Sequence, residues 1–207
     1  MHELYDLSAP TIPNLEPRYN ISPTDPVDVI LRGEDGRKRW QRMRWWLVPW
    51  WWKGTLKEVP SAFNARSETA AAKPLFREAF QRHRCLIPAS GVFERTGPKD
   101  ARQPWFISGR DGRPLTFAGL YDRWKNPDSG ETVHSCAILV TEANHFMQPI
   151  HDRMPVILEK AHWDPWLAAP RSDLLKPAHE GVLVAWQVSP RVNSNRYHEA
   201  DAIEASA

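Results

Sequence analysis

One glutamate stands where a strand pattern calls for an apolar residue. In Gly91-Val92-Phe93-Glu94-Arg95, the two-residue period of a strand puts Val92 and Glu94 on one face and Phe93 and Arg95 on the other. A carboxyl that shares a face with valine loses hydration. Its neutral form is then favoured and its pKa rises toward the range useful for proton transfer near neutral pH. The plainer alternative is a strand-edge Glu paired with a surface cation.

A second group is His151-Asp152-Arg153, between Pro149-Ile150 and the apolar run Met154–Leu158. A loop–strand junction of this kind holds side chains rigidly. Histidine titrates near neutrality and arginine offers a fork for phosphate, although a solvated turn with a local Asp–Arg pair would read the same way. A third group, Asn64-Ala65-Arg66, precedes Ser67 and Glu68, which suit a helix N-terminus. Asn64 supplies donor and acceptor groups, and Arg66 would add to the positive end of the helix dipole as an anion site. Simple helix capping is the competing reading.

Three consecutive tryptophans, Trp50-Trp51-Trp52, lie between Pro49 and Gly54. Three such rings in a Pro/Gly-bounded loop cannot all face inward, so at least one should offer a stacking surface of the kind used by single-strand binders. Arg42, Arg44, Lys53, Arg66, Arg77, Arg82 and Arg84 would give it a phosphate track. Packing beneath a loop is the alternative.

The elements that must position these groups are mostly strands, expected at 27–33, 38–48, 84–90, 91–95, 104–109, 115–124, 134–140, 153–158 and 181–189. The clearest helix is 67–81, bent or restarted at Pro74, with a short one near 143–149 and helical turns through 159–178. Residues 1–26 read as extended coil, and a polar tail follows 189. The whole of 1–207 reads as a single α+β domain, an antiparallel, barrel-like sheet core flanked by short helices.

Composition narrows the functions. The net charge of +2 is too small for global attraction to nucleic acid, so any such site must come from local clustering. No run approaches the ~18 apolar residues of a membrane helix, and the start lacks a signal pattern; a cytoplasmic protein is expected. Cys85 and Cys136 are the only cysteines. Each lies in an apolar run without metal-ligand spacing, so both read as inert core residues, and no metal or cofactor is expected.

The ordered series RYNISPT, WLVPWWW, FNARSET, PLFREAF, CLIPASGVFE, FAGLYDRW, ILVTEAN, IHDRMPVIL and QVSPRVNS resembles the SRAP (SOS response-associated peptidase) family from about residue 18 to about 196. The resemblance implies abasic-site processing on single-stranded DNA through an N-terminal cysteine. Its α-amine and thiol close a thiazolidine crosslink with the ring-opened sugar, and the family also has lyase-like and self-processing peptidase activity. By residue-wise match, Glu94 would be the acid/base, Asn64 would orient the N-terminus and His151 would assist sugar opening. Arg66 and Arg153 would hold flanking phosphates, Trp51, Trp52 and Leu75 would wedge or stack beside the lesion, and Thr141 would line the pocket.

The family's opening Met-Cys-Gly-Arg-Phe block has no counterpart here: His2 occupies the second position. The expectation is a start that lies upstream, with a natural variant that only binds DNA, or a rearranged N-terminus, as alternatives. The expected protein is a monomeric bacterial enzyme that meets abasic single-stranded DNA at the nucleoid. A non-covalent binding module is the second reading. A conventional cysteine peptidase using Cys136 or Cys85 with His151 is the third, opposed by the apolar setting of both thiols.

Overall fold

The computed structural model describes residues 2–7 and 16–206. In chain order the strands are β1 (Pro26–Arg32), β2 (Lys38–Trp45), β3 (Asn64–Arg66), β4 (Arg84–Ala89), β5 (Gly91–Thr96), β6 (Gln103–Gly109), β7 (Leu115–Lys125), β8 (Thr132–Glu142), β9 (Arg153–Pro155) and β10 (Leu183–Gln187). Three short α-helices accompany them: α1 (His2–Tyr5), α2 (Pro74–Arg82) and α3 (Lys160–Ala168).

The first sheet runs β2-β1-β4-β7-β8, and β2 returns to pair with β8 through Arg44↔Ser135 and Trp45↔Cys136. That last pairing closes a five-stranded barrel and removes its open edges. One edge of β8 is covered in turn by β2 and β3, and β9 pairs with the end of the opposite edge, beside β7. The pairings to β2 and β3 are parallel, so the sheet is mixed rather than wholly antiparallel. For the β2–β8 pair closure requires it, because five strands that alternate in direction bring the first and last together running the same way.

Alternation sorts the core into two layers. Val29, Met43, Cys85, Ile87, Phe117, Cys136 and Ile138 gather inside the barrel. The opposite alternates Ile30, Leu86, Leu120 and Leu139 pack outward under Phe76 and Phe80 of α2, Trp163 and Trp166 of α3, and Tyr5. The interior is tight at Gly119, where a Cβ would stand 2.8 Å from the Cys85 sulfur; any other residue would displace that side chain.

A second sheet, ordered β10-β6-β5, leaves β5 at its edge. Val92, Ile107 and Leu183 press it against the barrel. Its far face carries Phe93, Phe106 and Trp186, covered by Val192, Ala202, Tyr19 and Tyr197.

Several expectations are corrected. Residues 67–73 are turns and α2 begins only at Pro74: proline lacks the N–H that an interior position needs but is suited to a helix's first turn. Residues 145–150 form turns and not a helix. The strand expected at 153–158 ends at Pro155. Part of the expected N-terminal coil is helical, with Tyr5 wholly buried and its hydroxyl 2.6 Å from the Thr116 hydroxyl. The expected polar tail folds back as two 3-10 turns, Pro190–Asn193 and Ala200–Ile203, that bury Val192 and Ala202. Serine 8 to Leu15, part of the expected N-terminal coil, lie outside the described residues.

Candidate active site

Glu94 sits at the middle of β5, on the face turned toward the barrel. Its cross-strand neighbour is Trp105, and Val92 beside it packs into the barrel seam. This apolar setting strips water from the carboxyl and raises its pKa; the nearby His151 charge pulls the other way, more weakly. Burial thus shifts this carboxyl toward its protonated form, and the fold brings His151 near enough for its charge to act on it.

His151 lies between the 145–150 turns and β9. Its backbone N–H donates to the Met147 carbonyl at 2.9 Å, which ties the loop to a buried methionine. The ring Nδ1 accepts the Arg153 backbone N–H at 2.9 Å. That bond uses the Nδ1 lone pair, so the neutral ring carries its proton on Nε2. The Asp152 carboxylate and the Arg153 carbonyl also lie 3.2 Å from Nδ1, so the ring is held on one side and Nε2 is left for other partners.

Arg153 is committed elsewhere. Its guanidinium makes a two-pronged contact with Glu68 at 2.9 and 2.8 Å and donates to the Val140 carbonyl at 3.0 Å. The fork holds the Glu68 carboxyl below its ordinary pKa. Arg153 would therefore grip a phosphate only in exchange for that carboxylate. Glu68, expected at a helix N-terminus, instead closes an ion pair across the site.

Arg66 is exposed and near enough to Glu68 for its charge to act there. It is not at a helix N-terminus, because the chain turns for seven residues before α2 begins; any anion would be met by its guanidinium without a helix dipole. Asn64 is exposed two residues earlier on β3, while Ala65 between them is buried. Strand alternation therefore puts Asn64 and Arg66 on one face. Thr141 is buried and pairs with Met154 across β8 and β9, one residue from Arg153. Glu68 and Arg153 are thus bonded side chain to side chain and Arg153 to His151 through its backbone, while Arg66 acts on Glu68, and His151 on Glu94, through charge.

The tryptophan loop is tied to the barrel wall. Val48 N–H donates to the Ser135 hydroxyl at 2.8 Å, Trp50 N–H to the buried Asp122 carboxylate at 3.0 Å, and Trp124 Nε1–H to the Trp52 carbonyl at 2.7 Å. Trp50 is 60% exposed and Trp51 37%, whereas Trp52 is half-buried against the outer core. Leu75, on α2, leans on that same core. Trp50, outside the pair Trp51 and Trp52 that the resemblance implies, is the most exposed of the three; three identical neighbours give no sequence signal of which one the backbone turns outward. Ser135, at the loop's tether, is five residues along β8 from Val140, the Arg153 contact, or about 17 Å at strand rise.

The expected phosphate track is thinned. Arg84 is buried and donates to the Trp166, Phe80 and Gln81 carbonyls, so it is structural. Arg42 pairs with Asp28 and Arg82 with Glu78. Cys85 and Cys136 are fully buried, and burial pushes both thiols up, far from a reactive thiolate. Among the described residues no cluster of His, Cys, Asp and Glu could hold a metal ion, and no helix is long and apolar enough to cross a membrane.

Comparison with known proteins places this geometry. The family model of SOS response associated peptidase (SRAP) matches residues 2–195. The abasic site processing protein YoqW of Bacillus subtilis is 36% identical over 91% of this chain and 86% of its own. The abasic site processing protein HMCES of Xenopus tropicalis is 29% identical over 92% of this chain and 66% of its own. A crystal structure from Bacteroides thetaiotaomicron superposes with a TM-score of 0.78 at 26% identity, covering 89% of this chain and 82% of that one. One from Bordetella bronchiseptica gives 0.74 at 31% identity, covering 82% and 86%.

Proposed function

The chain belongs to the SOS response associated peptidase (SRAP) family, and on that premise we propose that it processes abasic sites in single-stranded DNA. The observation that carries the reading is Glu94 facing His151: a carboxyl held toward its protonated form by apolar neighbours, beside an imidazole whose Nδ1 is fixed by the Arg153 backbone. A ring-opened abasic sugar presents an aldehyde, and its capture is proton-transfer chemistry at every step.

In the proposed reaction an N-terminal α-amine adds to the aldehyde carbon, and the carbinolamine loses water to give an imine. Glu94 delivers the proton that lets hydroxide leave as water. An adjacent thiol then adds across the C=N bond, sulfur to carbon and proton to nitrogen, which closes a thiazolidine. His151 Nε2–H assists opening of the sugar. Asn64 orients the amine, Arg66 meets a flanking phosphate, and Thr141 lines the pocket floor. Arg153 takes a phosphate by exchanging Glu68 for it. Trp50 and Trp51 stack on neighbouring bases, with Trp52 and Leu75 backing them. Cys85 and Cys136 are buried within the chain and bear no α-amine, so neither supplies this thiol. Lyase and self-processing peptidase activity accompany the proposed crosslinking.

The second reading, non-covalent binding of damaged single strands, is favoured in the chain as it stands by the exposed Trp50 and Trp51. One experiment separates the two. The chain, and a form extended upstream to Met-Cys, are incubated with an abasic single-stranded oligonucleotide and run on denaturing gels. The expected result is a heat-stable shifted band with the extended form only. If neither crosslinks while the chain binds undamaged single strands, the enzymatic reading fails and the binding module replaces it.

A further inference from the structure

A broad cleft lies away from the Glu94 site. It has a volume of about 660 Å³ and is lined by Arg95, Lys99, Arg102, Gln103, Pro190 and Asn193, with Asp100 its one carboxylate. Three cations from the β5–β6 hairpin thus face a single acid. Arg95 is held in place: its Nε–H donates to the Asn193 side-chain oxygen at 2.9 Å, and the Asn193 amide donates to the Arg102 carbonyl at 3.0 Å. The bond at Nε leaves the outer guanidinium nitrogens to bind an anion. Among the described residues no hydrogen bond or ion pair engages the Lys99 ammonium or the Arg102 guanidinium. This pattern, one buttressed arginine and two uncommitted cations around a concave surface, fits successive phosphates of a nucleic-acid backbone.

Its position relative to Glu94 gives the cleft a role. Glu94 and Arg95 are consecutive residues on β5, so their side chains point to opposite faces, and β5 is the edge of its sheet. A strand leaving the Glu94 face therefore has only one strand's width to cross before it meets Arg95. We propose that the Arg95–Lys99–Arg102 cleft holds the phosphate backbone of single-stranded DNA that passes over the β5 edge, a few nucleotides beyond the residue bound beside Glu94. This deepens the proposed function and rests on it for the identity of that residue. It also assigns the hairpin a purpose that the proton-transfer site does not need.

The test uses fluorescence anisotropy with labelled single strands in three forms: an undamaged 15-mer, a 15-mer with a central stable abasic analogue, and a trimer with the same analogue at its centre. The protein is the full chain and its Lys99→Gln/Arg102→Gln and Arg95→Gln variants. Lys99 and Arg102 are exposed, so the double variant folds, which matched melting curves verify. Loss of two phosphate contacts should lower the salt slope for both 15-mers by about 1.4 and weaken them about 25-fold near 0.1 M salt, leaving the trimer unchanged. Arg95→Gln should act in the same direction. Equal binding of the 15-mers by wild type and double variant overturns the proposal, as does an equal loss for the trimer, or a loss that inorganic phosphate at millimolar concentration reproduces on the trimer and the 15-mers alike. If the damaged and undamaged 15-mers bind equally yet both lose affinity in the variants, the abasic-site reading fails and the backbone track stands.

Discussion

The Trp50 backbone N–H donates to the carboxylate of Asp122 at 3.0 Å, in a place where Asp122 is 2% exposed. The same carboxylate accepts the Arg123 N–H at 2.8 Å and lies 3.5 Å from the His83 ring. A buried charge thus holds the base of the most exposed tryptophan in the molecule. The loop presents its rings because its backbone is fastened at residues 48, 50 and 52 to two strands of the barrel. Stacking on a fixed ring avoids the entropy of ordering the ring at the moment of binding.

Asp122→Ala should accordingly damage both stability and binding. Two N–H donors lose a charged acceptor, at about 1.5–3 kcal/mol for such a bond, for a combined cost of about 3–6 kcal/mol. For a chain of this size that lowers the melting temperature by about 6–24 °C. Below the new transition, the affinity for undamaged single strands should still fall, since the Trp50 ring is no longer held. A melting shift with unchanged affinity would show that the loop is not a stacking platform.

The three tryptophans should separate by experiment as they do by exposure. Trp50→Ala and Trp51→Ala each remove a ring that faces solvent, so single-strand affinity should drop by about 1–3 kcal/mol per lost base stack with little change in melting temperature. Trp52→Ala removes a ring packed on the outer core and should cost stability by about 2 kcal/mol, toward the lower end of large-to-small core changes because the ring is half exposed. Titration of the three variants with one fluorescent oligonucleotide, beside their melting curves, checks the division.

These residues also mark how far the sequence could be read. Glu94 was legible because a period of two puts each strand residue on a known face, and its partners Val92 and Trp105 are local in the sheet. His151 and Arg153 were legible as a junction, but the Arg153–Glu68 bond joins positions 85 apart in the chain, and no spacing rule foresees it. β3 was invisible: three residues carry no period, and it exists only because β8 offers an edge. The start of α2 was misplaced because Ser67 and Glu68 look like a cap, while Pro74 decides where the helix can begin. Barrel closure by β2 on β8 is a long-range parallel pairing, set by packing rather than by any local preference.

The Glu68–Arg153 pair predicts an acid-sensitive term. Arg153 depresses the Glu68 pKa, so the folded state holds that carboxylate charged to lower pH than the unfolded chain does. The stabilisation is present above the ordinary glutamate range and is lost as pH falls through the depressed folded value. With Glu68 half exposed, solvent screening keeps it under about 1 kcal/mol. Glu68→Gln should therefore lower the melting temperature slightly at pH 7 and not at all in strong acid. It should also free Arg153 and tighten binding of single strands. Weaker binding by Glu68→Gln would mean that Arg153 needs the carboxylate to be in position for phosphate.

Glu94 predicts the opposite sign. Its pKa is raised, chiefly by burial, so the folded chain keeps this proton to higher pH than the unfolded chain. Below the ordinary carboxylate range of about pH 4.3, both states are protonated and Glu94 contributes no pH dependence. As pH rises through that range and on through the raised folded value, the unfolded chain releases its proton first and the native state loses stability relative to it. Glu94→Gln keeps the shape and removes the charge. It should raise the melting temperature at pH 8, with a gain that fades to nothing below pH 4. In the form extended to Met-Cys the same substitution should slow crosslinking by about 10²–10⁴-fold, the span of general acid–base assistance, while binding to an uncharged abasic analogue is retained. Melting from pH 4 to 8, set beside the crosslinking rate over the same range, tests both halves at once. A Glu94→Gln chain that is less stable at pH 8 would show that the ionised carboxylate is held by a favourable contact, and that Glu94 is not the proton donor.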